Sequence, residues 1–463
     1  MQHEKLSKMV DSQASRDMAV LELRSEDIQQ LSIRVRMSDV EMISHKNVSG
    51  HSARMLTNGV WGFASSEGSA DLSRTIRRAR AASKSVRASD RKQLTELAEV
   101  KPVHKRVISK VRIPLDSVDS GEKVEYLKSI CSQAADADER IRTCWADYYE
   151  VTGERTLVTS DGSVVEFQVA EVNLRATASA CEGSIQASAK DEVATVLTGW
   201  EHYMREEPSE EIAGRLSRKV LNQMDGVRCR RGSYPCLLGP KVVGMLAHEA
   251  LGHLSEADLF CTGAFNGMEG SEVAPENVTM VDAPKMKGGF GNIEVDDEGV
   301  MPKEVVLIDK GILGDQLVDR EWAHRLGRKP TGNARAETFR KPPMIRMRNT
   351  LFMRGDHNIE ELFESVRNGY YCGDVKGGQA ESDSSFQVGI QECFEIRNGE
   401  LGRPVRDLAI SGIAVDSLKR ISGVGKDFGF ESSYCGKYDQ SMATTDGGPS
   451  MSIAKGAIVF GGA

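Results

Sequence analysis

Apolar side chains recur at every second position through much of the first eighty residues, in the segments MAVLELRS, QQLSIRVRMSDVEMIS and HSARMLTNGVWGFAS. This alternation is typical of strands with one buried face. Asn58 and Gly59 form a common hairpin sequence between two such strands. A run with helical spacing follows up to residue 87, and the apolar pattern then weakens. We therefore predict a first domain of mixed helices and strands over residues 1–100.

A second mixed region is predicted over residues 101–226. Apolar residues have helical spacing from 119 to 138, and strand-like alternation follows, with a hairpin sequence at Asp161 and Gly162. A further helix is predicted from about Pro208 to Met224, because proline suits a first helical turn and a glycine follows the end.

The remaining residues, 227–463, carry many glycines and short strand-like runs separated by Gly and Asn turns. They predict a β-rich domain with few helices. The expected fold is therefore α+β, with two smaller mixed α/β domains followed by a large β-rich domain. That last domain carries one conspicuous helical segment, VVGMLAHEALGH.

This helical segment contains candidate metal ligands, because His248 and His253 flank Glu249 in the pattern HExxxH. In the more common zinc-peptidase pattern the histidines are four residues apart and share one face of the helix. A separation of five places them roughly 140° apart on a regular α-helix. Either a π-helical bulge realigns the pair, or the helix ends at Gly252 and His253 turns back.

A catalytic zinc site also needs a third protein ligand and an open position for water. Residue type alone allows many candidates, and the spacing does not choose among them. These candidates are Glu256, Asp258, Asp296, Asp297, Glu298, His324, His357 and any of the nine cysteines.

Composition narrows the class of protein further. The formal net charge of −8 on 463 residues argues against nucleic acid as the main partner. Residues 74–92 carry eight basic side chains, but a solvated helix face explains them more simply than a phosphate-binding stripe. No tract approaches the twenty apolar residues of a membrane span, and the charged amino-terminal segment lacks a signal peptide's apolar core. We expect a cytoplasmic protein with no membrane contact.

The nine cysteines are an odd number and are widely scattered, so they do not indicate a disulfide framework. Taken alone, none of them stands out as a metal ligand, since an isolated cysteine is more often a small buried apolar residue.

Several long segments, in this order along the chain, resemble the TldD/PmbA (TldE) metallopeptidase family, and in particular its metal-bearing TldD-type chains. The segments are LLGPKVVGMLAHEALGHLSEADLF, NIEVDDEG, PTGNARAET, RMRNTLF, KGGQAESDSSF and ESSYCGKYDQS. The amino-terminal run DVEMISHKNVSGHSARMLTNGVWGFASSE also looks like the first domain of that family. The resemblance therefore extends over essentially the whole chain.

The resemblance implies a zinc ion held by His248, His253 and the distant Cys435, with Glu249 as the general base. A thiolate and two imidazoles leave the fourth position of zinc free for water. The resemblance also implies hydrolysis of unfolded or unstructured peptides. It implies a two-subunit assembly with a TldE/PmbA-like chain that lacks the motif, although a homodimer is possible.

Two further motifs are candidates for roles in the site. Gly332, Asn333 and Arg335 could bind substrate, because exposed amides and a forked guanidinium suit the carbonyls of an extended peptide. A glycine loop that simply folds this way is an equally good explanation. The acidic residues 296–298 could orient the histidines, but a β-turn is the favoured interpretation.

The alternative function is that of a non-enzymatic modulator that binds another protein, as the gyrase-modulator name used for family members suggests. The complete His-Glu-His set argues against this alternative, because a pure binding protein does not need a metal-activated water.

Overall fold

The computed structural model describes residues 2–13, 18–68, 70–85, 94–109 and 111–462. Part of the basic stretch at 74–92, and part of the segment where the first predicted boundary falls, lie outside these described residues. Within them, no helix is both long and apolar enough to cross a bilayer. The architecture is mixed α+β with a large β-rich region, which confirms the predicted fold class.

The first half of the chain builds a seven-stranded sheet with helices packed on it. Its elements are α1 (Gln2–Ser12), β1 (Met18–Arg36), β2 (Asp39–Thr57), β3 (Val60–Glu67), α2 (Leu72–Ser85), β4 (His104–Val107), a 3-10 turn (Leu115–Ser117), α3 (Ser120–Asp136), β5 (Ile141–Thr159), β6 (Val164–Glu182), β7 (Ile185–Val196), α4 (Glu201–Arg205) and α5 (Ser209–Asp225). The strand order is β3-β2-β1-β5-β6, and the outer edge of β6 pairs with both β4 and β7.

One continuous sheet runs through the first two predicted regions. Strands β1 and β5 pair in antiparallel register from Glu22 opposite Thr159 to Arg36 opposite Trp145. The two regions therefore share a backbone ladder, although each has its own helices. The boundaries near residues 100 and 226 stay predictions.

Local sequence signals explain several of these elements. Asn58 and Gly59 both have positive φ angles, 48° and 71°, as the tight hairpin between β2 and β3 requires. Helix α5 begins directly after Pro208 and buries one face, which includes Leu216 and Val220, against the sheet and α3. The hairpin at Asp161 and the helix after Pro208 are thus found where the sequence predicts them.

The second half of the chain is dominated by short strands. Its elements are β8 (Val227–Arg228), β9 (Gly232–Ser233), β10 (Cys236–Leu238), α6 (Pro240–Met245), a π-helical turn (Leu246–Gly252), a 3-10 turn (His253–Ser255), α7 (Ala257–Phe260), β11 (Met280–Ala283), β12 (Val305–Asp309), β13 (Ile312–Leu313), α8 (Arg320–Arg325), β14 (Ala334–Arg335), β15 (Met344–Ile345), β16 (Asn349–Phe352), α9 (Ile359–Val366), β17 (Asn368–Ala380), β18 (Ser385–Arg397), β19 (Glu400–Arg406), β20 (Leu408–Ile413), α10 (Ala414–Leu418), β21 (Ile421–Val424), β22 (Gly429–Lys437), β23 (Gln440–Gly448), β24 (Met451–Ile453) and β25 (Ile458–Gly462).

Sixteen of these strands form a ten-stranded and a six-stranded sheet, and β14 pairs separately with β15. The HExxxH segment lies between the two larger sheets. Helix α6 packs against β17 of the larger sheet and against β22 and β23 of the smaller one. Val242 and Val243 of α6, and Leu246 directly after it, belong to the largest hydrophobic cluster of the described residues. Gly244 permits the close approach, because a Cβ there would lie 2.6 Å from the backbone oxygen of Asp446.

The acidic segment 296–298 joins the β-rich region to the seven-stranded sheet. It forms the predicted turn, in which Oδ1 of Asp296 accepts hydrogen bonds from the backbone N–H groups of Glu298 and Val300. Glu298 then lies 2.7 Å from Arg54 of β2, and Asp297 lies 3.2 Å from Arg24 of β1. The turn therefore holds two parts of the protein together.

Arg54→Met tests how much this junction stabilises the fold. The change leaves Glu22 and Glu298, both almost fully buried, without the guanidinium that contacts them. We expect a loss of about 3–5 kcal/mol, because removal of one partner leaves uncompensated buried charge. Urea denaturation measures the loss.

Arg34→Met is the matched control on the neighbouring strand β1. Its ion pair with Asp147 is partly exposed, so we expect a change of at most about 1 kcal/mol. Equal losses in the two variants would contradict the importance of the buried junction.

Candidate metal centre

The five-residue spacing of the two histidines is accommodated by a π-helical turn over Leu246–Gly252. Hydrogen bonds in a π-helix run from i to i+5, so residues five apart lie one turn apart on the same face. The rings of His248 and His253 accordingly lie side by side, with centroids 5.1 Å apart. Gly252 fits tightly where it stands, because a Cβ there would lie 2.1 Å from Sδ of Met347 and 2.8 Å from the backbone oxygen of Ala247.

Strand β22 brings Cys435 to this pair of histidines across 182 residues of sequence. The Sγ atom of Cys435 lies 3.3 Å from Nε2 of His253. One donor atom from each of His248, His253 and Cys435 lies within 4.8 Å of the other two. Among the residues that the structure describes, no other group of three His, Cys, Asp or Glu side chains has this geometry.

Each histidine has a carboxylate behind it. Oδ1 of Asp446 lies 2.8 Å from Nδ1 of His248, and Oε2 of Glu256 lies 3.1 Å from Nδ1 of His253. Both carboxylates are buried. Nδ1 of His253 is hydrogen-bonded to Glu256, and Nδ1 of His248 is in ion-pair contact with Asp446, so Nε2 of each ring is left for a metal. Carboxylates in this position fix ring orientation in many metal sites.

The three donor groups perturb one another's protonation strongly. Burial lowers the pKa of His253, but the charges of Glu256 and Cys435 outweigh burial and raise it to about 9. The pKa of His248 is likewise raised above its ordinary value, because Asp446 and Cys435 outweigh the effect of burial. Burial raises the pKa of Cys435, yet the two imidazoliums dominate and lower it to about 4. The thiolate is therefore the stable form at neutral pH.

Glu256, a candidate third ligand on residue type, has another role in the structure. It is fully buried, and its Oε1 accepts a hydrogen bond from the backbone N–H of Met347. Its Oε2 contacts both His253 and Nζ of Lys437, at 3.1 and 3.0 Å. Burial raises the pKa of Glu256, but these two cations outweigh burial and lower it to about 2. Asp258 pairs with the same lysine.

The other candidate ligands lie in different surroundings. Nε2 of His324 lies 3.2 Å from a carboxylate oxygen of Glu96, and Nδ1 of His357 lies 3.1 Å from the backbone oxygen of Val424. The acidic turn 296–298 contacts the seven-stranded sheet, as described above.

Glu249 follows His248 in the π-helical turn and is partly exposed. Its charge contributes to the pKa of Asp446, which places it close to the carboxylate behind His248. Glu249 is adjacent in sequence to a candidate ligand and does not belong to the donor set itself. Its role as general base stays a prediction.

The loop with Gly332, Asn333 and Arg335 lies largely inside the fold. Gly332 has a φ of 77°, and the amide of Asn333 donates to Asp282 and to the backbone oxygen of Arg346. Both residues are buried, which favours the structural explanation for them. Arg335 donates to two backbone oxygens and also lines a cavity. A substrate-binding role for the three stays a prediction.

This cavity of about 360 Å³ lies between the seven-stranded sheet and the β22–β23 hairpin. Tyr434, which precedes Cys435, forms part of its wall, together with Tyr149, Phe290 and Glu171. Tyr434 and Asp446 are not among the site residues that the sequence predicts. Neither residue has a local sequence signal, since strand pairing and the packing of α6 bring both into place.

The geometry defines an α+β protein with a His, His, Cys donor set that could hold a metal ion. Models of the PmbA/TldA metallopeptidase family match three parts of the chain: domain 1 at residues 21–83, the central domain at 113–224 and the C-terminal domain at 231–459. The chain belongs to the PmbA/TldD metallopeptidase family.

Curated relatives support this assignment. A metalloprotease of Methanothermobacter thermautotrophicus is 34% identical over 435 residues, which are 93% of each chain. A zinc metalloprotease TldD homolog of Saccharolobus solfataricus is 33% identical over 336 residues, 72% of this chain and 75% of that one. High coverage of the first relative shows that the likeness extends through all three matched parts.

Solved structures share the fold. A Thermotoga maritima protein, described as a proposed modulator of DNA gyrase, has a TM-score of 0.78 at 20% identity, and the match covers 99% of this chain and 100% of that one. TldE from Thermococcus kodakarensis has a TM-score of 0.75 at 19% identity, with the same coverage. At these identities the likeness establishes the fold.

The perturbed pKa values predict that zinc binding releases protons. With a pKa of about 4, Cys435 is already ionised at pH 7, whereas His253, with a pKa of about 9, and His248 are protonated without metal. Zinc should therefore displace about two protons at pH 7, and its apparent affinity should rise with pH until both imidazoles are neutral. Calorimetry in buffers of different ionisation enthalpy counts these protons. Zinc binding without net proton release would contradict the expectation.

Asp446→Asn tests the carboxylate behind His248. The amide keeps the shape but loses the charge, so we expect zinc to bind about 10–100-fold more weakly. Competition with a chelator of known affinity measures the change. Asp439→Asn, on the exposed turn of the same hairpin, is the control and should leave zinc affinity unaltered. Similar affinities in both variants would show that Asp446 does not support His248.

Proposed function

We propose that this chain is a zinc-dependent peptidase that hydrolyses unfolded or unstructured peptides in the cytoplasm, with Glu249 as general base. The observation that carries the proposal is the convergence of His248, His253 and Cys435, with a buried carboxylate behind each imidazole. Membership of a metallopeptidase family supports the same reaction class.

The donor set fits zinc better than other common metals. Two imidazole nitrogens and a thiolate sulfur are ligands that zinc accepts in a tetrahedral site, and they leave one position open. Calcium and magnesium prefer oxygen ligands. The buried carboxylates close to the site contact Nδ1 of the histidines, so the donors that face one another are nitrogen and sulfur.

In the proposed mechanism the metal and the residues around it have different roles. Zinc, when bound, supplies a Lewis acid that polarises an amide carbonyl. Glu249 takes the proton of the attacking water and passes it to the leaving amine. Asp446 and Glu256 hold the two imidazoles in the orientation that leaves Nε2 for the metal.

An extended peptide suits the surroundings of Cys435. Strand β22 is the last strand of its six-stranded sheet, so within the described residues one of its edges has no strand partner in that sheet. A peptide that adds to such an edge is bound through its main chain, with little demand on its sequence. A folded protein rarely presents a free strand, which favours unstructured chains as substrates. The cavity beside Tyr434 offers space for a neighbouring side chain.

The proposed assembly pairs this chain with a TldE/PmbA-like subunit, or with a second copy of itself. The shared fold of TldE from Thermococcus kodakarensis supports a related partner. A reducing cytoplasm suits the site, because Cys435 must stay a free thiolate to hold a metal.

Glu249→Ala and Cys435→Ala together test the proposal. Glu249→Ala should keep zinc but lose at least about 10²-fold in peptide cleavage, because it removes the proton-transfer group. Cys435→Ala should lose both zinc and cleavage. Elemental analysis and an assay with unstructured peptides, with a TldE-like partner added, measure the two properties.

Cys261→Ala, at an exposed cysteine, is the control and should match the wild type in both properties. A wild type without stoichiometric metal, whose behaviour Glu249→Ala leaves unaltered in every assay, would refute the peptidase. The non-enzymatic modulator would then take its place, in line with the gyrase-modulator description of the Thermotoga maritima protein.

A further inference from the structure

A cluster of buried and partly buried charges joins the metal-bearing helix to the middle part of the chain. It contains none of the proposed ligands or their carboxylate partners. Its members are Lys190 and Asp191 of β7, Arg215 and Lys219 of α5, Lys241 of α6, Asp374 of β17 and Glu431 of β22. We propose that Lys241 and Asp374 are positioning residues for the metal centre, so that metal affinity depends on the docking of α5 and β7 against α6. This inference rests on the proposed function.

The centre of the cluster is a lysine between two aspartates. Nζ of Lys219 lies 2.6 Å from Oδ1 of Asp191 and 2.6 Å from Oδ2 of Asp374. All three side chains are almost fully buried. Charges removed from water interact strongly and tolerate little displacement, since a broken pair leaves an uncompensated charge. The cluster therefore fixes α5 and β7 against β17 with high precision.

Asp374 reaches both sides of the junction because the strand is irregular at that residue. The register of β17 against β18 shifts on either side of Asp374, as in a β-bulge. A bulge turns a side chain away from its regular direction. Oδ2 of Asp374 thereby contacts Lys219 from the middle region and also lies 3.6 Å from Nζ of Lys241.

Lys241 is the second residue of α6, the helix that leads into the π-helical turn. Burial lowers the pKa of Lys241, but Asp374 and Glu431 outweigh burial and raise it above its ordinary value. From Lys241 to His248 the helix advances by roughly 10 Å. Gly244 lies between them and packs against the backbone of Asp446. The helix therefore has little room to shift without disturbing this contact.

The strand that carries Cys435 meets the same cluster. Glu431 of β22 lies four residues before Cys435, and its Oε1 is 3.7 Å from Nζ of Lys190. The helix with the two histidines and the strand with the thiolate are thus both held by charges of one cluster. A change in Lys241 should alter the separation of His248 from Cys435, and with it the affinity for zinc.

Lys241→Met tests this role, because Lys241 is partly exposed and the apolar stem is kept. We expect zinc to bind about tenfold more weakly, at the low end of the 10–100-fold range seen for residues that support metal ligands. The visible spectrum of the cobalt-substituted protein should change as well, because it reports ligand geometry. Lys241→Arg should restore both properties. Asp374→Asn, measured in the same way, should reproduce the loss.

Asp161→Asn is the matched control. It weakens another ion pair between the sheet and the β-rich region, the 2.6 Å contact of Asp161 with Arg320, which does not involve α6. It should lower the melting temperature and leave zinc affinity and the cobalt spectrum as in the wild type. If Lys241→Met behaves like this control, the cluster is structural and the inference is overturned. A wild type that binds no zinc would instead overturn the proposed function.

Discussion

The five-residue separation of His248 and His253 is the constraint on which the site depends. On a regular α-helix these rings would diverge by roughly 140°, and no single ion could contact both. The π-helical turn over Leu246–Gly252 removes this divergence. Such turns are rare in proteins, and those that occur are often found at functional sites. Glycines lie at close contacts on both sides of this segment, since Gly252 packs against Met347 and Gly244, in the preceding helix α6, packs against the backbone of β23.

Once the two rings are aligned, electrostatics determines what can surround them. A thiolate lies between two imidazoles in a buried space, and buried charges are costly unless each has a partner. Asp446 and Glu256 supply those partners, and Lys437 in turn compensates Glu256. The candidate centre is therefore a network of mutually compensating charges, in which we expect a bound metal ion to replace protons of the imidazoles.

Parts of this arrangement could be predicted from the sequence. Hairpin residues such as Asn58 and the proline before α5 act locally, so their elements are found where expected. The HExxxH spacing left two backbone geometries open, and the structure contains the π-helical one. Cys435 is predicted as a ligand only from the family resemblance, because a cysteine 182 residues from His253 has no local sequence signal that links it to the histidines. Asp446 and the pairing of β1 with β5 also depend on long-range contacts, which residue patterns do not encode.

X-ray absorption at the zinc edge of the zinc-loaded protein tests the central claim most directly. If His248, His253 and Cys435 hold the zinc, we predict one sulfur ligand at about 2.3 Å from zinc and two imidazole nitrogens at about 2.0 Å, with a fourth light atom. Replacement of Cys435 by alanine should remove the sulfur contribution. A spectrum that contains oxygen and nitrogen alone, with no sulfur in the wild type, would contradict the account.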